Sequence, residues 1–267
     1  MKQALKNTLP TRLVEWLANT YDAIRRLPDQ PAAYLHPWRR ESIRKLAALY
    51  DAHKGERCFV VGNGPSLKSM DLSKLQGEFS FGFNRIFLAA AELGFTPSCI
   101  VSINDLVIEQ SVAELQALKM PKFFAWHARK WLSMDADTHF IYTSYTGPGF
   151  SKDVTGRVWE GATVTNVALQ LAYHMGFSKV ILIGVDHNFA SQGTPNTMVT
   201  STGDDPNHFS GAYFGKGFRW QLPDLETSER GYRNARQAFE ADGRQVVDAT
   251  VGGKLTIFPR VDYNTLF

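Results

Sequence analysis

Apolar and polar positions follow two different rhythms along this chain. Over residues 11 to 27, Leu13, Trp16, Leu17, Tyr21, Ile24 and Leu27 recur at spacings of three and four, which lays one apolar stripe along an amphipathic helix. Pro28, Pro31 and Pro37 break it, and the spacing of Ile43, Leu46, Ala47 and Tyr50 predicts a second helix over Arg39 to His53. From Arg57 onward the pattern changes to short apolar runs alternating with helical periods. The runs predict strands near 57–62, 79–83, 98–103, 121–126, 138–143, 179–184 and 244–248, with helices over 85–93, 105–118, 163–175 and 225–242. Such alternation is expected of a parallel sheet with helices on both faces. Val185 to about Pro223 shows no sustained periodicity, and a loop of that length in a compact domain is usually functional, often a lid.

The expected organisation is therefore an N-terminal helical extension, residues 1–54, followed by an α/β, Rossmann-like nucleotide-binding domain, residues 55–267, with a long lid over about 185–223. A length of 267 residues suffices for one large α/β core with an appendage. Hydrophobic and charged fractions of 44% and 21% are those of a soluble globular protein, so disorder is not indicated. No uninterrupted apolar run reaches about 18 residues and the N-terminus lacks a secretory pattern, which makes the cytoplasm the expected compartment. Cys58 and Cys99 each fall inside a predicted buried strand without zinc-site spacing and are read as reduced core residues.

Charge is uneven. Residues 1–54 hold ten Lys/Arg against five Asp/Glu, whereas the rest of the chain carries a surplus of two acids. The body is thus nearly neutral, which argues against nucleic acid as a partner. Arg25, Arg26, Arg39, Arg40, Arg44 and Lys45 flank the N-terminal apolar stripes, a pattern compatible either with a peripheral membrane contact at the inner face or with packing on the body or in a homo-oligomer.

The most informative stretch is Cys58 to Leu67, an apolar run entering the turn Gly62-Asn63-Gly64-Pro65-Ser66. The glycines are read here as permitting backbone angles that bring peptide N–H groups close to a phosphate or nucleotide. Leu67 stands where a dinucleotide fingerprint requires its third glycine, and no Gly-Lys-Ser/Thr follows, so neither the hydride-transfer nor the P-loop reading applies. In open α/β sheets ligands settle beyond the carboxyl ends of the strands. Asn63, Asn84, Asn104 with Asp105, and Asp186 occupy four such positions, and asparagine offers a donor and an acceptor without adding charge. Ordinary turn chemistry is the competing explanation for each one taken singly.

These residues resemble the bacterial sialyltransferases that use CMP-sialic acid. The likeness comprises Gly62-Asn63-Gly64-Pro65-Ser66-Leu67, Asn84, Asn104, Gly184-Val185-Asp186 and Asn207-His208-Phe209, in that order over residues 57–250. It implies that the three asparagines contact the CMP part of the donor, that the loop histidine, His208, is the general base, and that no metal is required. The family's serine at the start of the central helix falls near Thr163 to Thr165, so Thr163 and Thr165 are candidate nucleotide contacts. Its paired phosphate-binding tyrosines have no counterpart between His187 and His208. The chain is also similar to the broader group of 6-hydroxymethylpterin diphosphokinase-like proteins. That likeness adds the helix and strand over Ala168 to Gly184 and the tail Ala249-Thr250-Val251-Gly252-Gly253-Lys254-Leu255 with Ile257-Phe258-Pro259-Arg260. Many bacterial members of that group sit in surface-glycan settings.

Three functions follow as expectations. The first is transfer of a sialic-acid-like sugar from a CMP-linked donor to a glycan or protein hydroxyl, with His208 taking the acceptor's proton and His187 as runner-up, and with no cofactor. The second is diphosphoryl transfer from ATP with magnesium held by Asp105 and Asp186; these and the other acids, Asp204 and Asp205, form no recognised magnesium motif. The third is a non-catalytic nucleotide-binding subunit. Amides around Gly62 to Ser66, the helix start near Thr163, and Lys216 or Arg219 in the lid are the groups available to a leaving nucleotide.

Overall fold

The structure is a computed structural model that describes residues 10–145, 149–190 and 193–267. Residues 1–9, 146–148 and, in the segment expected to form a lid, 191–192 lie outside the described residues. Ten strands are formed among the described residues: β1 (Arg57–Val61), β2 (Ser80–Phe83), β3 (Cys99–Ser102), β4 (Lys122–Ala125), β5 (Thr138–Ser144), β6 (Arg157–Trp159), β7 (Lys179–Ile183), β8 (Met198–Thr200), β9 (Arg219–Gln221) and β10 (Gln245–Asp248). Eight of them make one sheet in the order β10-β7-β1-β2-β3-β4-β5-β6. Every pairing in it is parallel. The α-helices are α1 (Thr11–Arg26), α2 (Gln30–Leu35), α3 (Pro37–Ala48), α4 (Ala89–Glu92), α5 (Asp105–Gln110), α6 (Val112–Ala117), α7 (Val164–His174) and α8 (Leu225–Ala241).

The period of two along β1 builds both cores. Phe59 and Val61 join the cluster on one face, with Leu67, Val107, Ile108 and Leu115, whereas Cys58 and Val60 join the other, with Leu46, Val167, Leu171 and Phe239. The continuous apolar runs read from the sequence thus reflect strands covered on both sides. Both cysteines are buried and free, and burial raises each thiol well above its ordinary value.

The N-terminal helices differ in their relation to the sheet. Helix α3 is joined to it: Ser42 Oγ accepts the Phe140 N–H at 2.9 Å, Lys45 Nζ donates to the carbonyls of Asp135 and Ala136, and fully buried Arg39 donates to the Thr155 carbonyl at 2.6 Å. Burial lowers the Arg39 pKa to about 10. Helix α1 keeps its apolar stripe outside, with Trp16, Tyr21, Ile24 and Leu27 all more than 60% exposed. Among the described residues no helix is long and apolar enough to cross a membrane.

Two predicted elements are interrupted. The helix expected over 105–118 breaks at Ser111, φ −133°, after Gln110 turns its amide onto the backbone of Arg219 in β9. The lid expected to lack structure carries the antiparallel pair β8 and β9, with Val199 opposite Trp220. It also buries Phe209, Tyr213, Phe214 and Trp220 in the core of one face of the sheet. Three-residue strands are too short to show a period in sequence.

Candidate functional site

Chain order and sheet order part company at β1. The chain advances from β1 to β6 on one side and then returns to place β7 and β10 on the other, so the topological switch point lies between β1 and β7. A crevice is expected outside the carboxyl ends of these two strands. Gly62-Asn63-Gly64 and Gly184-Val185-Asp186 are the segments that leave them there.

The two segments are locked together rather than open to a ligand. The Gly62 N–H donates to the Ile183 carbonyl at 2.8 Å and the Gly64 N–H to the Gly184 carbonyl at 2.9 Å. Neither glycine has a positive φ. A Cβ on Gly62 would meet the Gly184 oxygen at 2.2 Å, and one on Gly64 would meet Asp186 Oδ2 at 1.7 Å. The glycines are thus required by close approach, not by backbone angle, and their amides are already spent. The Gly62 and Gly64 N–H groups, expected to approach a phosphate, are thus engaged within the lock, while both residues and Asn63 line the chamber above it. Pro65 opens a short 3-10 turn, whose Ser66 donates to Asp186 through its hydroxyl at 2.7 Å and its N–H at 3.2 Å. Burial raises the Asp186 carboxyl above its ordinary value against the pull of these bonds. The tail motif closes the lock from behind: Thr250 Oγ1 accepts the Val185 N–H at 3.2 Å, and the Lys254 N–H donates to the Asp186 carbonyl at 2.8 Å.

Two chambers lie over the strand tips. The inner one, about 170 Å³, is lined by Asn63, Asn84, Thr163, Thr165, Asp186, His187, His208, Tyr213 and Tyr232 among others. The outer one, about 980 Å³, continues over the ends of β3 to β5 and is lined by Asn104, Asp105, Trp126, His127, Thr143 and Tyr145 among others. Asn84, Thr163, Val164 and His208 face both, so the chambers meet at these residues.

The three asparagines do different things. Asn63 is 9% exposed; its amide donates to the Phe83 carbonyl at 3.3 Å while its Oδ1 has no partner among the described residues. Asn84 adopts a left-handed φ of 51°, which asparagine tolerates better than most residues, and its Oδ1 accepts from Ser102 Oγ at 2.8 Å. Asn104 caps α5, accepting the N–H groups of Leu106 and Val107, and borders only the outer chamber. Asn63 and Asn84 therefore share a chamber that Asn104 does not enter.

Helix α7 starts at the junction of the chambers. Thr163 caps it, with Oγ1 accepting the Thr165 N–H at 3.3 Å and lying 3.4 Å from the Tyr232 hydroxyl. The positive end of the α7 dipole is thereby directed at the junction. Lys216 and Arg219 border neither chamber, and Arg219 is paired with Glu109 at 3.0 Å. Tyr213 and Tyr232 stand in the inner wall, downstream of the segment in which a tyrosine pair was sought.

His208 is held by a carboxylate and two aromatic rings. Its Nδ1 lies 2.6 Å from Asp205 Oδ2, and its ring stacks on Tyr213 with centroids 4.0 Å apart. The Asp205 side chain is 3% exposed and is itself fixed by the N–H groups of Asn207 and Phe214. A carboxylate on Nδ1 fixes the tautomer and leaves Nε2 to exchange a proton. The sequence places Asp204 and Asp205 just before His208 and among the acids available to a metal; that Asp205 is the one holding the ring is seen only in the folded loop. His187 also borders the inner chamber, with Nε2 3.3 Å from Glu229.

Asp105 and Asp186 do not converge. Asp105 faces the outer chamber, 2.6 Å from His127 and 3.4 Å from Lys130, whereas Asp186 is held by Ser66 in the inner one. The pair does not fit a shared magnesium ion, and among the described residues no group of three or more His, Cys, Asp or Glu side chains is placed to hold a metal.

Comparison with known proteins adds the following. The MAf glycosyltransferase from Magnetospirillum magneticum AMB-1 superposes on 88% of this chain and 40% of its own, with a TM-score of 0.52 and 14% identity. This chain spans about two fifths of that protein's length, and the likeness is one of fold. A mammalian sialyltransferase, crystallised with Gal-beta-1-3GalNAc-ortho-nitrophenol, aligns with 85% of this chain and 84% of its own at a TM-score of 0.35 and 11% identity, too low to bear on the site. None of the curated proteins compared with the chain matches it. A family described as 6-hydroxymethylpterin diphosphokinase MptE-like matches residues 35–192, more than half of the sequence and the whole run from α3 to the end of the switch-point lock. The chain belongs to the 6-hydroxymethylpterin diphosphokinase MptE-like family.

Proposed function

We propose that this protein is a glycosyltransferase that moves a sialic-acid-like sugar from a CMP-linked donor to a hydroxyl acceptor. The observation that carries this reading is the Asp205–His208 pair at the junction of two chambers, beside the capped start of α7. In this reading the nucleotide occupies the inner chamber, where the unpartnered Asn63 Oδ1 accepts from it and Asn84 flanks it. The α7 N-terminus faces the phosphate, whose charge grows as the glycosidic bond to the sugar breaks. His208 Nε2 removes the proton from the acceptor hydroxyl as its oxygen attacks the anomeric carbon, and Asp205 stabilises the resulting imidazolium. The fold shared with a glycosyltransferase supports the same class.

Diphosphoryl transfer from ATP is the second reading, favoured by the family's description. The separation of Asp105 from Asp186 weighs against the metal site that it was expected to use. Thermal-shift measurements with CMP, ATP, and ATP with magnesium separate the two. Stabilisation by CMP without metal is expected, and stabilisation by ATP with magnesium alone would remove the glycosyl-transfer reading. If none of the nucleotides raises the melting temperature, the inner chamber does not bind one.

A further inference from the structure

The outer chamber has a polar floor that the donor site leaves unused. Trp126, directly after β4, is 2% exposed, and its indole N–H has no partner among the described residues. Thr143, near the end of β5, is 9% exposed, and its hydroxyl is likewise unpartnered. Both residues line the chamber, and buried polar atoms of this kind are rare in native proteins unless a further group satisfies them. Asp105 stands on the same floor after β3. Although burial opposes it, His127 and Lys130 lower the Asp105 pKa, so its oxygens are ionised acceptors at neutral pH.

We propose that the tips of β3, β4 and β5 form a subsite for a polyhydroxylated acceptor, a sugar ring, recognised by Trp126, Thr143 and Asp105. The indole N–H only donates, the threonine hydroxyl donates and accepts, and the carboxylate only accepts. Neighbouring sugar hydroxyls answer all three, because each can donate and accept. A phosphoryl group offers mainly acceptor oxygens and would meet the Asp105 carboxylate on this floor, while the rest of the chamber is lined by acids (Glu160, Asp224) and bases (Arg25, Arg26) alike. Arg129, which lines the same chamber, holds its guanidinium carbon 4.3 Å from the centre of the Trp126 ring. The open passage past Asn84 and His208 brings an acceptor hydroxyl to the Asp205–His208 pair.

This inference rests on the glycosyl-transfer reading for its role but has its own test. The whole chain is titrated with a panel of methyl hexosides, and separately with a blocked Gly-Ser-Thr-Gly peptide, by saturation-transfer NMR, with CMP affinity measured in parallel by calorimetry. At least one hexoside should bind, Thr143→Val and Trp126→Phe should each weaken it about tenfold, the loss of one hydrogen bond, and CMP affinity should not change. Thr143→Ser should restore binding, which a merely loosened fold would not allow. Hexoside binding that ignores both substitutions, binding of the peptide alone, or no hexoside binding in a chain that binds CMP would overturn the subsite. Hexoside binding that depends on Thr143 in a chain that ignores CMP would keep the subsite and reject the donor assignment.

Discussion

Asp205 Oδ2 lies 2.6 Å from His208 Nδ1, and the carboxylate also accepts the N–H of Asn207, in the turn that joins the two residues, and that of Phe214 further along the chain. The histidine is therefore held on three sides, by a charge, by the Tyr213 ring beneath it and by the Phe214 edge. Asp205→Asn keeps the shape but favours the wrong tautomer, and should lower kcat by about 10²–10⁴ with little change in CMP affinity. His208→Ala should remove turnover while CMP still binds. Turnover that survives either change would dismiss His208 as the base; stopped-flow assay of CMP release against calorimetry decides it.

The unequal roles of the asparagines give a second prediction. Asn63→Ala removes a buried acceptor facing the inner chamber and should weaken CMP about tenfold, the worth of one hydrogen bond of about 1.4 kcal/mol. Asn104→Ala removes the cap of α5 and should cost about 1 kcal/mol of stability while leaving CMP affinity unchanged. Calorimetry and urea denaturation on the two variants read the contrast directly.

A third concerns the glycine lock. Gly64→Ala forces a methyl group into Asp186 and the Gly184 carbonyl, and should destabilise the fold by about 3 kcal/mol or more. Gly77→Ala, at φ +87° with nothing within 4 Å, should cost only about 1 kcal/mol of backbone strain. Equal losses in denaturant midpoint would mean that close approach is not what the first position requires.

The ion pair of buried Lys122 with partly exposed Asp135 supplies a fourth. The lysine is 1% exposed and its Nζ lies 2.7 Å from the carboxylate. Burial raises the Asp135 carboxyl, but the bonds from Lys122 and Thr138 outweigh it and bring the pKa down to about 2. A depressed acid stabilises fully above its ordinary value of about 3.9, and the contribution is lost as pH falls toward 2. Asp135→Asn should cost about 1 kcal/mol at pH 7, because water screens the partly exposed carboxylate and the Lys122 ammonium keeps the Gln116 and Leu118 carbonyls. The gap between wild type and variant should close between pH 4 and pH 2 in urea melts; a gap that stays constant through that window would contradict the assignment.

Much of the sheet is legible in the sequence because its strands are buried on both faces. Runs such as Cys58 to Val61 and Lys179 to Ile183 need no partner to be recognised. Strands β6, β8 and β9 are not, since three residues carry no period and form only where a neighbour accepts them. At the site, the strand-tip rule places Asn63, Asn84 and Asn104 near a crevice, but it does not say which amide faces it and which caps a helix. Trp126 and Thr143 are invisible for the opposite reason. In sequence each reads as part of an apolar strand, and only the fold shows that their polar atoms are left without partners.

The return of the chain to β7 carries a consequence for how the protein is made. During translation β1 emerges more than a hundred residues before the strand that covers its second edge, and until then Cys58 to Val61 present an apolar, unpaired ladder. The ribosome-bound half-sheet is thus the species most exposed to edge-to-edge association, and chaperone demand should peak just before Lys179 to Ile183 leave the exit tunnel.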